Sequence, residues 1–222
     1  CGREDVSLCT ACLHLLGGIP RAMEPRYGQI PVVGVSEYST QISHMVVNFK
    51  DNGRRDILDP LALALARSIT AALELAHHSG GRVRLFPAPS APQALRRRGR
   101  SHTAALARRA AQLVPELARE VIDVRLTRPP HEPVGLGAQA REANVARSQY
   151  LNPTILDSAI GRPGGETESE SGVDLLIDDF STTGATLAES ARVLASVQIR
   201  PAAGAVLGLG RGGTRFVSPF TV

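Results

Sequence analysis

Apolar positions along this chain change period several times, and the changes mark out its elements. From about Gly28, short apolar extended runs alternate with stretches whose apolar residues recur every three or four positions. That alternation predicts an α/β fold, a mostly parallel sheet with helices on both faces. Leu61, Leu65, Ile69, Ala72, Leu73 and Ala76 share one helical face. Asp59-Pro60 ahead of them reads as a capping carboxylate followed by proline at the first helical position, and Gly80-Gly81 as the stop. Val83–Phe86 reads as a strand closed by the Pro87-Ala88-Pro89 turn. A basic loop, Arg96-Arg97-Arg98-Gly99-Arg100, then precedes a helix carrying Leu106, Ala110, Leu113 and Leu117 inward. Val121–Leu126 predicts another strand, and residues 137–147 a short helix. The stretch GRPGGETESESG at 161–172 has no apolar residue and predicts a surface loop. Val173–Ile177 follows as a buried strand. Leu187, Ala191, Leu194 and Val197 then mark a helix, and Ala202–Leu207 a final strand.

Residues 1–27 lack this periodicity, break at Gly17-Gly18 and hold all 3 cysteines. The chain therefore divides into a cysteine-rich segment, 1–27, and an α/β domain, 28–222. Cys9-Thr-Ala-Cys12 is a Cys-x-x-Cys pair, with Cys1 eight positions before Cys9. Three thiolates do not close a structural zinc site, which takes four ligands, and His14 is a local substitute. A redox role has less support, because no thioredoxin-like βαβ pattern surrounds the pair.

Composition narrows the picture only a little. An apolar fraction of 43% is enough for a core. No run approaches the roughly 18 apolar residues of a membrane span, and no signal-peptide pattern opens the chain. The expectation is a soluble, cytoplasmic protein with no membrane partner. The formal charge of +4 comes almost entirely from arginine, since Lys50 is the single lysine. Such an excess suits polyphosphate ligands as well as nucleic acid.

The segment with the most chemistry is LLIDDFSTTGAT, 175–186. A buried strand ends in two carboxylates, Asp178 and Asp179, and leads through Ser181, Thr182, Thr183 and Gly184 straight into a helix. Ligands of open α/β sheets gather at the carboxyl ends of strands. A helix start there offers backbone amides and the positive end of its dipole. The hydroxyls add donors, and glycine lets the backbone curl close to an anion. Residues 181–186 therefore predict a phosphate cradle. The two acids repel that phosphate, and their natural partners are hydroxyl groups or a hard cation such as Mg2+. An acid pair at a strand end is by itself most often a solvated turn. Strand, two acids, Thr-Thr-Gly and helix in immediate succession form a far more specific pattern.

LLIDDFSTTGAT resembles the phosphoribosyl-pyrophosphate signature of the type I phosphoribosyltransferases. The resemblance implies ribose hydroxyl contacts for Asp178 and Asp179. It implies 5-phosphate contacts for Ser181, Thr182, Thr183, Gly184, Ala185 and Thr186. Further segments are similar to the ComF family, which joins a cysteine-rich start to such a domain: Tyr38 with Phe49-Lys50-Asp51-Asn52-Gly53, Phe86-Pro87-Ala88-Pro89 with Arg98-Gly99-Arg100-Ser101-His102, and Gly135-Leu136, Arg141 and Asn144. Departures are Ala88 for the usual valine, Arg100-Ser101-His102 where an aromatic and Asn commonly stand, and Pro133. By the same resemblance the 87–90 turn, with Ala88 and Pro89, would meet a diphosphate. Arg98 is the leading cation there, with Arg96 and Lys50 behind it. Cys1 would be the second member of an upstream Cys-x-x-Cys, so Cys1, Cys9 and Cys12 would belong to a zinc-knuckle-like site for structural Zn2+. The implied function is transfer of ribose 5-phosphate from phosphoribosyl pyrophosphate, with Mg2+, to an unnamed acceptor. The alternative is a non-catalytic accessory of DNA uptake, acting with a helicase or single-stranded DNA. Direct DNA binding fits less well, since stacking platforms need aromatics and these make up only 4% of the chain.

Overall fold

In a computed structural model of the chain, described for residues 7–90, 92–113, 120–122, 126–127, 150–151, 172–210 and 215–217, the valine- and leucine-rich runs line up in one mixed sheet. In chain order the elements begin with α1 (Thr10–Leu16), β1 (Arg21–Glu24), β2 (Val32–Glu37), α2 (Thr40–Asp51) and a 3-10 turn at Arg55–Ile57. They continue with α3 (Leu58–Leu75), β3 (Val83–Pro87), α4 (Pro92–Arg98), α5 (His102–Leu113), β4 (Glu120–Val121), β5 (Leu126–Thr127) and β6 (Tyr150–Leu151). The last are β7 (Val173–Ile177), β8 (Phe180–Ser181), α6 (Ala185–Ala195), β9 (Ala203–Leu209) and β10 (Arg215–Val217). The sheet order is β10-β1-β2-β9-β7-β3-β4, with β8 also paired to β9. The run β2-β9-β7-β3-β4 is parallel, whereas β1 is antiparallel to both β2 and β10. β5 and β6 form a separate antiparallel pair.

Side chains alternate across the strands and feed two cores. Val83, Leu85, Leu175, Ile177, Ala203 and Ala205 pack with Leu61, Leu65 and Ile69 of α3 and Leu106 and Ala110 of α5. Phe86, Leu176 and Val206 pack with Leu187, Val193 and Leu194 of α6. Each such leucine, fully buried, contributes about 1.5–3 kcal/mol. Ser68, buried in α3, donates to the Val206 carbonyl at 2.7 Å, so its hydroxyl enters the core already paired. No helix among the described residues is long and apolar enough to cross a membrane.

Several local expectations are corrected. The carboxylate of Asp59 does not cap α3, which starts one residue earlier. It takes a bidentate pair from Arg109 of α5 at 2.7 and 2.8 Å, a charged partner that outcompetes a backbone amide. α3 ends at Leu75, before the glycine pair. His77 turns left-handed with φ 52, and the bonds His77 N→Glu74 O and His78 N→Leu73 O close a Schellman motif without glycine. Arg96, Arg97 and Arg98 lie in the last turn of α4, not in a loop. There the helix dipole favours cations, and Gly99, with φ 71, ends the helix. Of the strand expected over Val121–Leu126, β4 ends at Val121 and Leu126 belongs to β5 of the second sheet, while residues 123–125 lie outside the described residues.

The division at residue 27 falls between β1 and β2, which are hydrogen-bonded neighbours, and α1 buries Cys12 and Leu16 in the larger core. Cys1, Leu117, Pro133, Gly135, Leu136, Arg141, Asn144 and the stretches 137–147 and 161–171 lie outside the described residues.

One consequence of the strand order positions the site. From β3 the chain moves to β4 on one side, and from β7 it moves to β9 on the other. The loops leaving β3 and β7 therefore part company, and open α/β sheets bind ligands in the crevice at such a switch point.

Candidate functional site

At the end of β7 the chain leaves the sheet for two residues and then rejoins it. The Asp178 amide donates to the Ala205 carbonyl at 3.2 Å, and the Asp179 carbonyl accepts from the Leu207 amide at 3.0 Å. Phe180 and Ser181 then pair with β9 as β8. The Phe180 ring packs edge-on against Tyr38, 5.0 Å between centroids. Gly184 is the N-cap of α6 at φ 84, a left-handed conformation that side chains disfavour. A Cβ on it would stand 2.3 Å from Pro25 Cβ and 2.8 Å from the Tyr27 carbonyl oxygen. Tyr27 also donates its amide to the Thr183 carbonyl at 3.0 Å, so residues 25–27 clamp the loop from behind. The Ala188 amide makes the first bond of α6, to the Gly184 carbonyl, so the first-turn amides before it have no partner within the helix.

Within the loop Ser181 and Gly184 are buried, Thr182 is exposed, and Thr183, Ala185 and Thr186 are half-buried. The Ser181 hydroxyl is buried and has no hydrogen-bond partner among the described residues. The same holds for the hydroxyl of Ser90 on the loop after β3. That loop is tied to the end of β7 by the Ala88 amide, which donates to the Ile177 carbonyl at 2.7 Å. Ala88 is buried and Pro89 half-buried.

The two acids have different surroundings. Asp179 is 8% exposed. Its Oδ1 accepts from the Phe180 amide at 2.8 Å, and its Oδ2 is ion-paired with Lys50 Nζ, with His102 Nε2 3.3 Å away. Among the described residues no hydrogen bond reaches Oδ2, so the adjacent ammonium is what offsets its charge. Asp178 is half-buried, and its Oδ1 accepts from the Asp179 amide at 2.8 Å. Lys50 lies in the last turn of α2, next to the fully buried Phe49. Burial pushes its ammonium below the ordinary lysine range, Arg98 adds to that, and the Asp178 carboxylate opposes it.

His102 is the first residue of α5 and is buried. Burial, then the cations Lys50, Arg98 and Arg100, push its pKa down to about 2, so the imidazole is neutral. Its contact with Asp179 is therefore between a neutral ring and a carboxylate. Arg98 lies beside it, NH1 to Nδ1 at 2.8 Å, with Nε 3.1 Å from Asp51 Oδ1. Arg97 reaches the same Asp51 oxygen at 2.7 Å, while Arg96 is exposed. Arg100 covers the Phe49 ring at 5.3 Å.

The fold thus gathers Asp178, Asp179, Lys50, Arg98, Ala88, Pro89 and the 181–186 loop at or beside the switch point, and it seats Lys50 on Asp179. Sequence reasoning placed Ser90 in the diphosphate turn through its backbone and gave Asp51 and His102 no role in the site. For His102 a signal existed. It stands four and eight positions before Leu106 and Ala110, a titratable ring on the apolar face of a helix.

At the other end of the chain Cys9 is the N-cap residue of α1 and Cys12 is buried, with the two side chains in contact. Burial, then the neighbouring Cys9, raises the Cys12 thiol. The pair could supply two corners of a tetrahedral site. Among the described residues no group of three or more His, Cys, Asp and Glu side chains is arranged to hold a metal. His14 is exposed.

Fold and site together define a mixed α/β protein, mostly parallel in its sheet, with an acid pair and a hydroxyl-rich helix start at the switch point. No family model and no curated protein sequence matches the chain. Among solved structures, a Trypanosoma cruzi hypoxanthine phosphoribosyl transferase is similar at 15% identity and a TM-score of 0.36, over 75% of this chain and 70% of that one. Those values are too low to define a shared function.

Proposed function

We propose that this protein has a type I phosphoribosyltransferase-like fold and binds phosphoribosyl pyrophosphate, or a related ribose 5-phosphate ester, at the β3/β7 switch point. The observation that carries the reading is the pair of buried, unpartnered hydroxyls, Ser90 and Ser181, on the two loops that part there. An unsatisfied buried hydroxyl costs about 1–3 kcal/mol. Two of them flanking Asp178 fit a polar ligand that satisfies both. In this reading Ser181–Thr186 and the start of α6 hold the 5-phosphate. Asp178 accepts from a ribose hydroxyl, and Ala88–Ser90 with the Arg98 guanidinium meet the diphosphate.

Asp178, half-buried where Asp179 is buried, is the acid more open to a hard cation. Mg2+ carried in with the ligand would neutralise charge on the departing diphosphate. Transfer forms a bond from ribose C1 to a nucleophilic acceptor as the C1–O bond to diphosphate breaks, and the diphosphate leaves with the bonding pair. The chain's contribution is position and field: carboxylates beneath a sugar ring that gains positive charge, and a guanidinium beside the leaving group. A structural Zn2+ on Cys9 and Cys12, with Cys1, belongs to the same reading, and metal analysis of the purified protein tests it.

Calorimetric titration with phosphoribosyl pyrophosphate and Mg2+ tests the main proposal. Wild type is expected to bind, and Asp178→Asn to bind at least about tenfold more weakly, the worth of one hydrogen bond to a charged group. No binding by wild type, or equal binding by both proteins, refutes it. Release of pyrophosphate with an acceptor panel then separates a transferase from a protein that only binds.

A further inference from the structure

We propose that His102 is a positioning residue that joins the cationic side of the crevice to its acid side, taking a hydrogen bond from Arg98 at Nδ1, bonding Thr103 Oγ1 through Nε2–H and standing against Asp179 Oδ2. The proposal deepens the phosphoribosyl reading and rests on it only for the ligand involved.

Arg98 has donors and no acceptor, so the 2.8 Å contact between its NH1 and His102 Nδ1 makes Nδ1 the acceptor. A neutral imidazole that accepts at Nδ1 carries its proton on Nε2. That proton has one hydrogen-bond partner, Thr103 Oγ1 at 3.1 Å, and Asp179 Oδ2 stands 3.3 Å from Nε2 as a close contact outside hydrogen-bond geometry. The surroundings hold the ring neutral: it is buried among Lys50, Arg98 and Arg100, each of which disfavours a further positive charge.

The backbone holds the ring in place. Ser101 accepts from the Ala104 amide at 3.2 Å, capping α5, and that fixes His102 at the helix start. The far side of Arg98 is anchored as well, by Asp51 at 3.1 Å. The line Asp51–Arg98–His102–Asp179–Lys50 thus alternates acid and base through one neutral ring, across four separate segments of the chain. A diphosphate that draws on Arg98 pulls on the same ring that orients Asp179. Anion capture and placement of the acids become one event, as a bond-making site requires of its supports.

The test reads the ring first and the ligand second. Side-chain 15N NMR of the full chain is expected to show His102 with Nε2 protonated and Nδ1 bare, and Arg98→Ala is expected to disturb that pattern. A His102 protonated on Nδ1, or on both nitrogens, overturns the proposal whatever the protein binds. So does a pattern that Arg98→Ala leaves unchanged. In titrations with phosphoribosyl pyrophosphate and Mg2+, His102→Gln, which keeps an acceptor for Arg98 and an N–H for Thr103, should stay within about threefold of wild type. His102→Leu, which keeps neither bond, should lose about tenfold. Equal loss in both variants, with melting midpoints unchanged, overturns the proposal too. If the NMR pattern is as expected and wild type shows no binding, the phosphoribosyl reading fails while the role of His102 stands.

Discussion

Replacing Gly184 with alanine should cost more stability than the same change at Gly53, and the structure separates the reasons. At φ 84 the residue is left-handed, which costs a side-chain-bearing residue about 1–2 kcal/mol. The new Cβ would also lie 2.3 Å from Pro25 Cβ and 2.8 Å from the Tyr27 carbonyl oxygen, far inside contact distance. Relieving such overpacking costs about 1–3 kcal/mol. The expected total is about 2–5 kcal/mol. Gly53 supplies the control: its φ is 69, and nothing lies within 4 Å of the position a Cβ would take. Gly53→Ala should therefore show the conformational cost alone, about 1–2 kcal/mol. Urea denaturation of the two variants and wild type, with equal m-values required for comparison, measures both. Equal losses, or a Gly184→Ala loss below about 1 kcal/mol, would show that Pro25 and Tyr27 do not clamp the loop. Because the displaced backbone belongs to the 181–186 cradle, ligand affinity should fall with stability in Gly184→Ala and not in Gly53→Ala.

Three further outcomes follow from the site. Lys50→Met strips the counterion from buried Asp179 and should cost about 3–5 kcal/mol, part of which Lys50→Met/Asp179→Asn recovers; chemical denaturation checks this, and an additive double variant refutes it. Ser181→Ala removes an unpartnered buried hydroxyl, so stability should rise by about 1 kcal/mol while affinity for phosphoribosyl pyrophosphate falls; a less stable variant that binds normally contradicts both. His102 is held near pKa 2 in the fold against about 6.5 unfolded, so the unfolded chain binds the extra proton. Its contribution is complete above pH about 6.5 and drains as pH falls toward 2, by up to about 1.4 kcal/mol per pH unit. Melting midpoints of wild type should therefore drop more steeply than those of His102→Gln between pH 6.5 and 4, and parallel profiles refute this.

What could be read from the sequence was contiguous. β7, the acid pair, the hydroxyl loop and α6 occupy one uninterrupted stretch, so period and turn chemistry are enough to draw them. The strand Val173–Ile177 is found where the pattern put it. Short-range logic failed where a distant partner intervened. Asp59 reads as a cap until Arg109, fifty residues on, takes its carboxylate. An arginine run reads as a solvated loop until the end of α4 and Asp51 use it.

Periodicity and local backbone chemistry act over a few residues, so the α/β class and the location of the acid-and-hydroxyl loop are legible along the chain. The difference between the two acids arises from packing alone. Asp178 stays half-buried, while Asp179 is enclosed by Lys50 from α2 and His102 from α5. Those neighbours are set by strand order and helix packing, which bring together side chains more than seventy residues apart along the chain. The resulting burial and charge, not residue type, distinguish one aspartate from the next.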